Sequence, residues 1–100
     1  MVLYESYIAL NKHIKKDDVK NLMKNFHFIV NKYNGNIINI NDLGTFHFGR
    51  FYCITFYSNS KSIKDLNEFF HSNTFILRFL NVKMKYRSNF LVAPFSYINE

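Results

Sequence analysis

Lys83, Lys85 and Arg87 fall on every second residue near the C-terminal end of the chain. In extended backbone that period sets all three on one side. A row of fixed cations suits contact with a chain of phosphates; the same row also guards an edge strand against aggregation. Arg78 stands a few residues upstream and either contacts phosphate or pairs with Asp65 or Glu68. Arg50 follows Gly49 in what reads as a tight turn, where a long cation reaches outward. Tyr7 and Phe51 are aromatics placed either to stack a base, worth about 1–3 kcal/mol each, or to anchor a docked protein. Phe79, Phe90 and Phe95 extend the apolar surface offered to a partner. Lys16, Lys20 and Lys24 repeat at helical spacing, and such stripes are most often merely solvated.

Catalytic and metal chemistry find little support. His13, His27, His47 and His71 are scattered, and Cys53 is the only cysteine. Neither a paired-His nor a Cys-based metal spacing is present, and no intrachain disulfide can form. No glycine-rich phosphate loop or nucleophile motif stands out, and Glu5 lacks a second carboxylate in its strand pattern. The reading is therefore of a non-enzyme with no cofactor.

The elements that position these residues come from periodicity. The chain has 100 residues, 48% hydrophobic and 19% aromatic, which suffices for one folded domain with a real core. Its net charge of +6 and pI near 9.5 favour a polyanionic partner, nucleic acid being the usual one. No apolar run approaches the roughly 20 residues of a membrane span. The chain opens almost at once on strand-like sequence, so no presequence is visible.

Residues 2–11 predict a strand with Val2, Tyr4, Ile8 and Leu10 inward and Glu5, Tyr7 and Ala9 outward. Apolar residues at 19, 22, 23, 26, 30 and 33 predict a helix, capped by Asp17 or Asp18 and ended at Asn34-Gly35. Residues 36–48 predict an irregular strand with a bulge at Gly44, then a Gly49-Arg50 turn and a third strand over 51–58. Ser62 is placed to cap a second helix through residue 72, with Ile63, Leu66, Phe69 and Phe70 inward. Residues 76–85 predict a fourth strand with Leu80, Val82 and Met84 inward and Phe79, Asn81, Lys83 and Lys85 outward. The order is β-α-β-β-α-β, an α+β ferredoxin-like sandwich: a four-stranded antiparallel sheet with two helices on one face. Residues 1–85 form this domain. Residues 86–100 form a C-terminal tail whose Phe90, Leu91, Val92, Phe95 and Tyr97 suggest docking on a partner.

Residues 49–56, GRFYCITF, resemble the RNA-binding strand of RRM domains, with Phe51, Ile54 and Phe56 in place but Gly49 and Arg50 in reversed order. A broader resemblance covers roughly residues 4–85. Tyr4-Glu5, Gly35-Asn36-Ile37, Asn41-Asp42-Leu43-Gly44, Phe70 with Asn73, Ile76-Leu77-Arg78 and Val82-Lys83 are similar to bacterial-type small-subunit ribosomal protein six. The family usually carries a longer hairpin between strands two and three; here His47-Phe48-Gly49-Arg50 closes it, and Thr45 and Phe46 stand where Arg is common. A shortened version rich in Asn, Ile, Lys, Phe and Tyr, whose codons are AT-rich, resembles an organellar member.

The resemblance implies a structural constituent of the small ribosomal subunit. Such a protein binds small-subunit rRNA at the platform, beside small-subunit ribosomal protein eighteen and other small-subunit proteins, with no membrane and no small-molecule substrate. The implied compartment is the mitochondrion, with a plastid-type organelle or the bacterial cytoplasm as alternatives. Arg50, Arg78, Lys83, Lys85 and Arg87 are the expected RNA contacts; Tyr7, Phe51, Phe79, Phe90 and Phe95 are the expected partner contacts. The alternatives are a free-standing RRM-like protein that binds single-stranded RNA and a small ferredoxin-like enzyme or dimeric regulator. An acylphosphatase-type enzyme would need an Arg in the loop after strand one, where this chain has Asn11-Lys12-His13.

Overall fold

A strand buried on one side and open on the other alternates, and the first strand does so over residues 4–8, before its last residues, Ala9 included, become buried on both sides. In the computed structural model, which describes residues 2–47 and 49–84, β1 spans Val2–Leu10. Tyr4, Ser6, Ile8 and Leu10 are buried on one side of it, while Tyr7 between them is exposed. The chain continues through α1 (Lys16–Lys32), β2 (Asn36–Phe46), β3 (Gly49–Ser58), α2 (Lys61–Ser72) and β4 (Ile76–Lys83). The four strands form one sheet in the order β2-β3-β1-β4, and every neighbouring pair is antiparallel. The expected ferredoxin-like arrangement is thus the observed one.

The core lies between the sheet and the two helices. Phe26 of α1, Phe56 of β3 and Phe70 of α2 are fully buried. Phe26 meets Phe56 edge-to-face at 5.2 Å and Phe70 in a stacked pair at 5.8 Å, so one ring ties both helices to the central strands. Leu22 and Val30 add to the inner side of α1, and Leu66 to that of α2.

The helix starts differ from expectation. α1 begins at Lys16 with Lys15 as its N-cap and no side-chain cap; Asp17 and Asp18 stand inside the first turn, where the helix dipole favours them. Ser62 lies within α2, fully buried, and its hydroxyl donates to the Asn59 carbonyl at 2.8 Å. The N-cap is Ser60, which makes no side-chain cap bond, and the Asn59 side chain just before it accepts from the Lys61 N–H at 2.7 Å. The end of α1 is as expected at Asn34-Gly35, with Asn34 taking the left-handed conformation at φ 61°.

The hairpin between β2 and β3 also shifts. Gly49 and Arg50 belong to β3, and the chain reverses between Phe46 and Gly49. The bulge at Gly44 is where the sequence places it: the pairing register slips between Asp42 and Gly44, and Gly44 has φ 98°. The Asp42 carboxylate accepts the Gly44 N–H at 2.9 Å and holds the bulge.

β4 is turned over relative to its hydropathy pattern. Ser6 and Ile8 of β1, both on the helix side, stand opposite Asn81 and Phe79, and Tyr4 stands opposite Lys83. Phe79, Asn81 and Lys83 therefore share the helix side, and Leu80, 59% exposed, lies on the uncovered face. Two contacts decide this. Phe79 packs against Phe70 at 5.0 Å and His71 at 5.0 Å. Asn81 accepts a hydrogen bond from the buried Ser6 hydroxyl and donates to the Asn67 side-chain oxygen at 2.7 Å. A polar residue with its partners in place is tolerated on the core side.

Asn81→Ala is accordingly expected to cost about 1–3 kcal/mol, because it leaves the Ser6 hydroxyl buried without a partner. Urea unfolding checks this, and Ser6→Ala combined with Asn81→Leu should recover part of the loss.

Candidate nucleic-acid and partner interface

Among the described residues, nothing covers the face of the sheet opposite the helices. Its middle is built by Glu5, Tyr7 and Ala9 from β1 and by Phe51, Cys53, Thr55 and Tyr57 from β3, as the alternation predicts. Tyr7 stands opposite Cys53, and Ala9 opposite Phe51. β4 adds Arg78 and Leu80, which stand opposite Ala9 and Tyr7. On the β2 side, Phe46 meets Phe51 edge-to-face at 5.1 Å. Between β3, β1 and β4 runs a shallow groove of about 240 Å³, lined by Tyr7, Ala9, Phe51, Arg78 and Leu80.

The polar groups here are held rather than reactive. The Tyr7 hydroxyl donates to a Glu5 carboxylate oxygen at 2.8 Å. Partial burial first, and then that hydrogen bond, push its proton loss well above the usual phenol range. Burial likewise pushes the Cys53 thiol up, with the Glu5 charge adding to it. A thiol held protonated is a weak nucleophile.

The cations are divided. Arg78 is exposed on the uncovered face and makes no ion pair with the described residues. Asp65, one of the two acids considered as its alternative partner, accepts the Tyr33 hydroxyl at 2.6 Å and pairs with Lys32 at 3.6 Å instead. Lys83 is exposed on the helix side of the edge strand, opposite Tyr4. Arg50 is not at a turn tip. It lies in β3, paired with the Asp42 carboxylate at 2.7 Å and with its guanidinium 5.5 Å from the Tyr52 ring centre. Tyr7, Phe51 and Arg78 are thus brought to one groove; Phe79 also borders it, though its ring packs against Phe70 and His71, whereas Lys83 and Arg50 do not line it. Lys85, Arg87, Phe90 and Phe95 lie outside the described residues. Sequence reasoning missed Leu80 and Phe46; the pairing of Asn81 with Ser6 is the signal that would have set the side of β4.

Asp42 and Asp65 have proton affinities below the usual carboxylate range. Asp42 is lowered first by Arg50 and then by the Gly44 N–H; Asp65 is lowered first by the Tyr33 hydroxyl and then by Lys32. A depressed folded-state value stabilises the fold above the unfolded value, about pH 4, and this is lost as pH falls through the folded value. The difference in urea midpoint between the native chain and Asp42→Asn should therefore be constant above about pH 5 and shrink toward zero at lower pH.

Among the described residues no three His, Cys, Asp or Glu side chains cluster closely enough to hold a metal, and no helix is long and apolar enough to cross a membrane. What remains is a basic ferredoxin-like domain whose sheet is covered on one face and presents aromatic, aliphatic and guanidinium groups on the other. The sequence profile of the Ribosomal protein S6 family matches residues 3–83, and the chain belongs to that family. This is a family of small-subunit ribosomal proteins, structural rather than enzymatic.

Among solved structures, the chain is similar to 30S ribosomal protein S6 from Thermotoga maritima, at 16% identity and a TM-score of 0.73, over 99% of this chain and 98% of that one. It is also similar to part of a bacterial light-regulated adenylyl cyclase, at 13% identity and a TM-score of 0.55, over 99% of this chain and 33% of that one. At these identities the likeness shows the fold alone. Comparison with curated protein sequences finds no match.

Proposed function

We propose that this chain is a structural constituent of the small subunit of a mitochondrial ribosome. There it binds small-subunit rRNA at the platform together with small-subunit ribosomal protein eighteen. The observation that carries the reading is the family match across residues 3–83, nearly the whole described domain. The net charge of +6 supports an RNA partner, and the AT-rich residue usage supports an organellar genome.

The chemistry divides by face. Tyr7, Phe51 and Leu80 offer the protein partner an apolar patch on the uncovered sheet, with Arg78 at its margin for a phosphate. Arg50 is held in place by Asp42 and keeps further N–H donors for a phosphate oxygen. Lys83 begins the basic run that Lys85 and Arg87 continue, and Phe90 and Phe95 of the tail add to the partner contact.

The test is binding to a central-domain fragment of small-subunit rRNA, with and without purified protein eighteen. Weak binding alone and tight binding with the partner is the expected result; equal binding in both would remove protein eighteen from the reading. Deletion of residues 86–100 is expected to leave the domain folded and to weaken assembly. A deletion variant that lacks the native circular dichroism signal would overturn the tail's assignment as a docking segment.

A second reading, a free-standing RRM-like protein, is favoured by one observation: Tyr7 and Phe51 line a single groove on the two central strands. It requires tight binding of short single-stranded RNA without any partner, lost in Tyr7→Ala and Phe51→Ala.

A further inference from the structure

Residues 12–32 hold six lysines and two aspartates, a net +4 of the chain's +6, so most of the excess charge lies on and just before α1, away from the uncovered sheet face. Lys16, Lys20 and Lys24 follow one another at intervals of four residues, and the next position in the series is Phe28. Residues spaced this way form one ridge slanted across a helix, each about 6 Å further along the axis. All four side chains are exposed, and Phe28 is 69% exposed, the highest value among the large hydrophobic residues described. None of the three lysines makes an ion pair with the described residues. The Lys32 ammonium, by contrast, is committed to Asp65 and lies 5.6 Å from the Tyr33 ring centre. Asp17 and Asp18 stand in the first turn, and neither pairs with the ridge lysines.

We infer that this ridge is a second RNA-binding surface. Lys16, Lys20 and Lys24 follow the phosphates of an unpaired strand, and Phe28 stacks on one of its bases. The chemistry favours RNA over a protein on two counts. Lysine is depleted at protein–protein interfaces and cations are enriched at nucleic-acid ones. An aromatic ring beside a cationic track is also how proteins hold single strands without reading sequence, the lysines taking the backbone and the ring a base. The inference rests on the ribosomal reading only for the source of the RNA. The ridge and the groove of Tyr7 and Phe51 lie on opposite sides of the sheet, so the domain can hold RNA on its helices while a protein occupies the sheet.

The test is fluorescence anisotropy of the full chain with a short unstructured RNA, titrated across roughly 50–200 mM salt. Lys20→Gln combined with Lys24→Gln should weaken binding and lower the salt slope by about 1.4, two single-strand phosphate contacts' worth. Phe28→Ala should weaken binding about fivefold or more and leave the salt slope unchanged. Lys61→Gln combined with Lys64→Gln, the same charge change on α2, should alter neither. All of these residues but Phe28 are exposed lysines, and Phe28 is itself exposed, so the variants should fold; a circular dichroism melt checks this.

Unchanged affinity and slope in the Lys20/Lys24 pair would overturn the inference and leave the ribosomal reading standing. Equal binding of polyglutamate and RNA, with Phe28→Ala silent, would overturn it in favour of an acidic protein partner. Loss of RNA binding in these variants, from a chain that does not associate with ribosomes, would support the ridge and sink the ribosomal reading instead.

Discussion

Phe26→Ala is expected to lower stability by about 3–5 kcal/mol, the usual result of truncating a buried aromatic side chain. The size follows from what the ring holds. Phe26 is fully buried and touches Phe56 on the sheet and Phe70 on α2. Removing it opens a cavity where α1, α2 and β3 meet, and the surviving rings are anchored on separate elements, so collapse into the space is limited. Domains of this size are stable by only about 5–15 kcal/mol, so the variant should be partly unfolded at modest urea concentrations. The urea midpoint measures this. Phe28→Ala, two residues along on the exposed side of the same helix, should move the midpoint little, which separates loss of core packing from the change in helix propensity that both substitutions share.

Gly35→Ala is expected to cost about 3 kcal/mol, the upper end of the overpacking range. The reason is space rather than conformational freedom, because the left-handed residue in this turn is Asn34. A methyl group on Gly35 would overlap the Tyr57 carbonyl oxygen and stand 2.8 Å from Val30 Cγ1. The Gly35 N–H also closes the end of α1, donating to the Val30 carbonyl at 2.9 Å. A methyl there can be accommodated only by moving β3 or the last turn of α1, both held by backbone hydrogen bonds. The urea midpoint gives the size of the effect, and an amide spectrum should show shifts centred on Tyr57 and Val30. A variant as stable as the native chain would mean that β2 enters the sheet with more room than the structure shows.

β1 and β3 were legible because each is buried on one face and open on the other, which is the condition for clean alternation. Tyr4, Ile8 and Leu10 against Glu5 and Tyr7 could be assigned on sight, and so could the inner faces of both helices. β4 misled because its pattern is set by pairing and not by polarity. Asn81 sits inward since Ser6 and Asn67 satisfy it, and Leu80 sits outward beside Tyr7. The Gly49-Arg50 turn was misplaced because glycine is a turn signal wherever it stands, and here it begins a strand.

The groove of Tyr7, Phe51 and Arg78 was therefore only partly foreseeable. Two of its walls came from well-patterned strands; the third came from a strand whose phase the hydropathy pattern inverted. The lysine ridge of α1 was visible as spacing. Its continuation by an exposed Phe28 required knowing which side of the helix faces the sheet.

Membership of a small ribosomal subunit in an organelle, as proposed above, can be tested in the cell. The most direct measurement is sedimentation of a tagged copy from a mitochondrial extract through a high-salt gradient, with mass spectrometry of the fraction where it peaks. The tagged chain is expected to co-migrate with small-subunit rRNA and small-subunit ribosomal proteins, protein eighteen among them. A tagged chain that stays at the top of the gradient, free of ribosomal proteins, would contradict it.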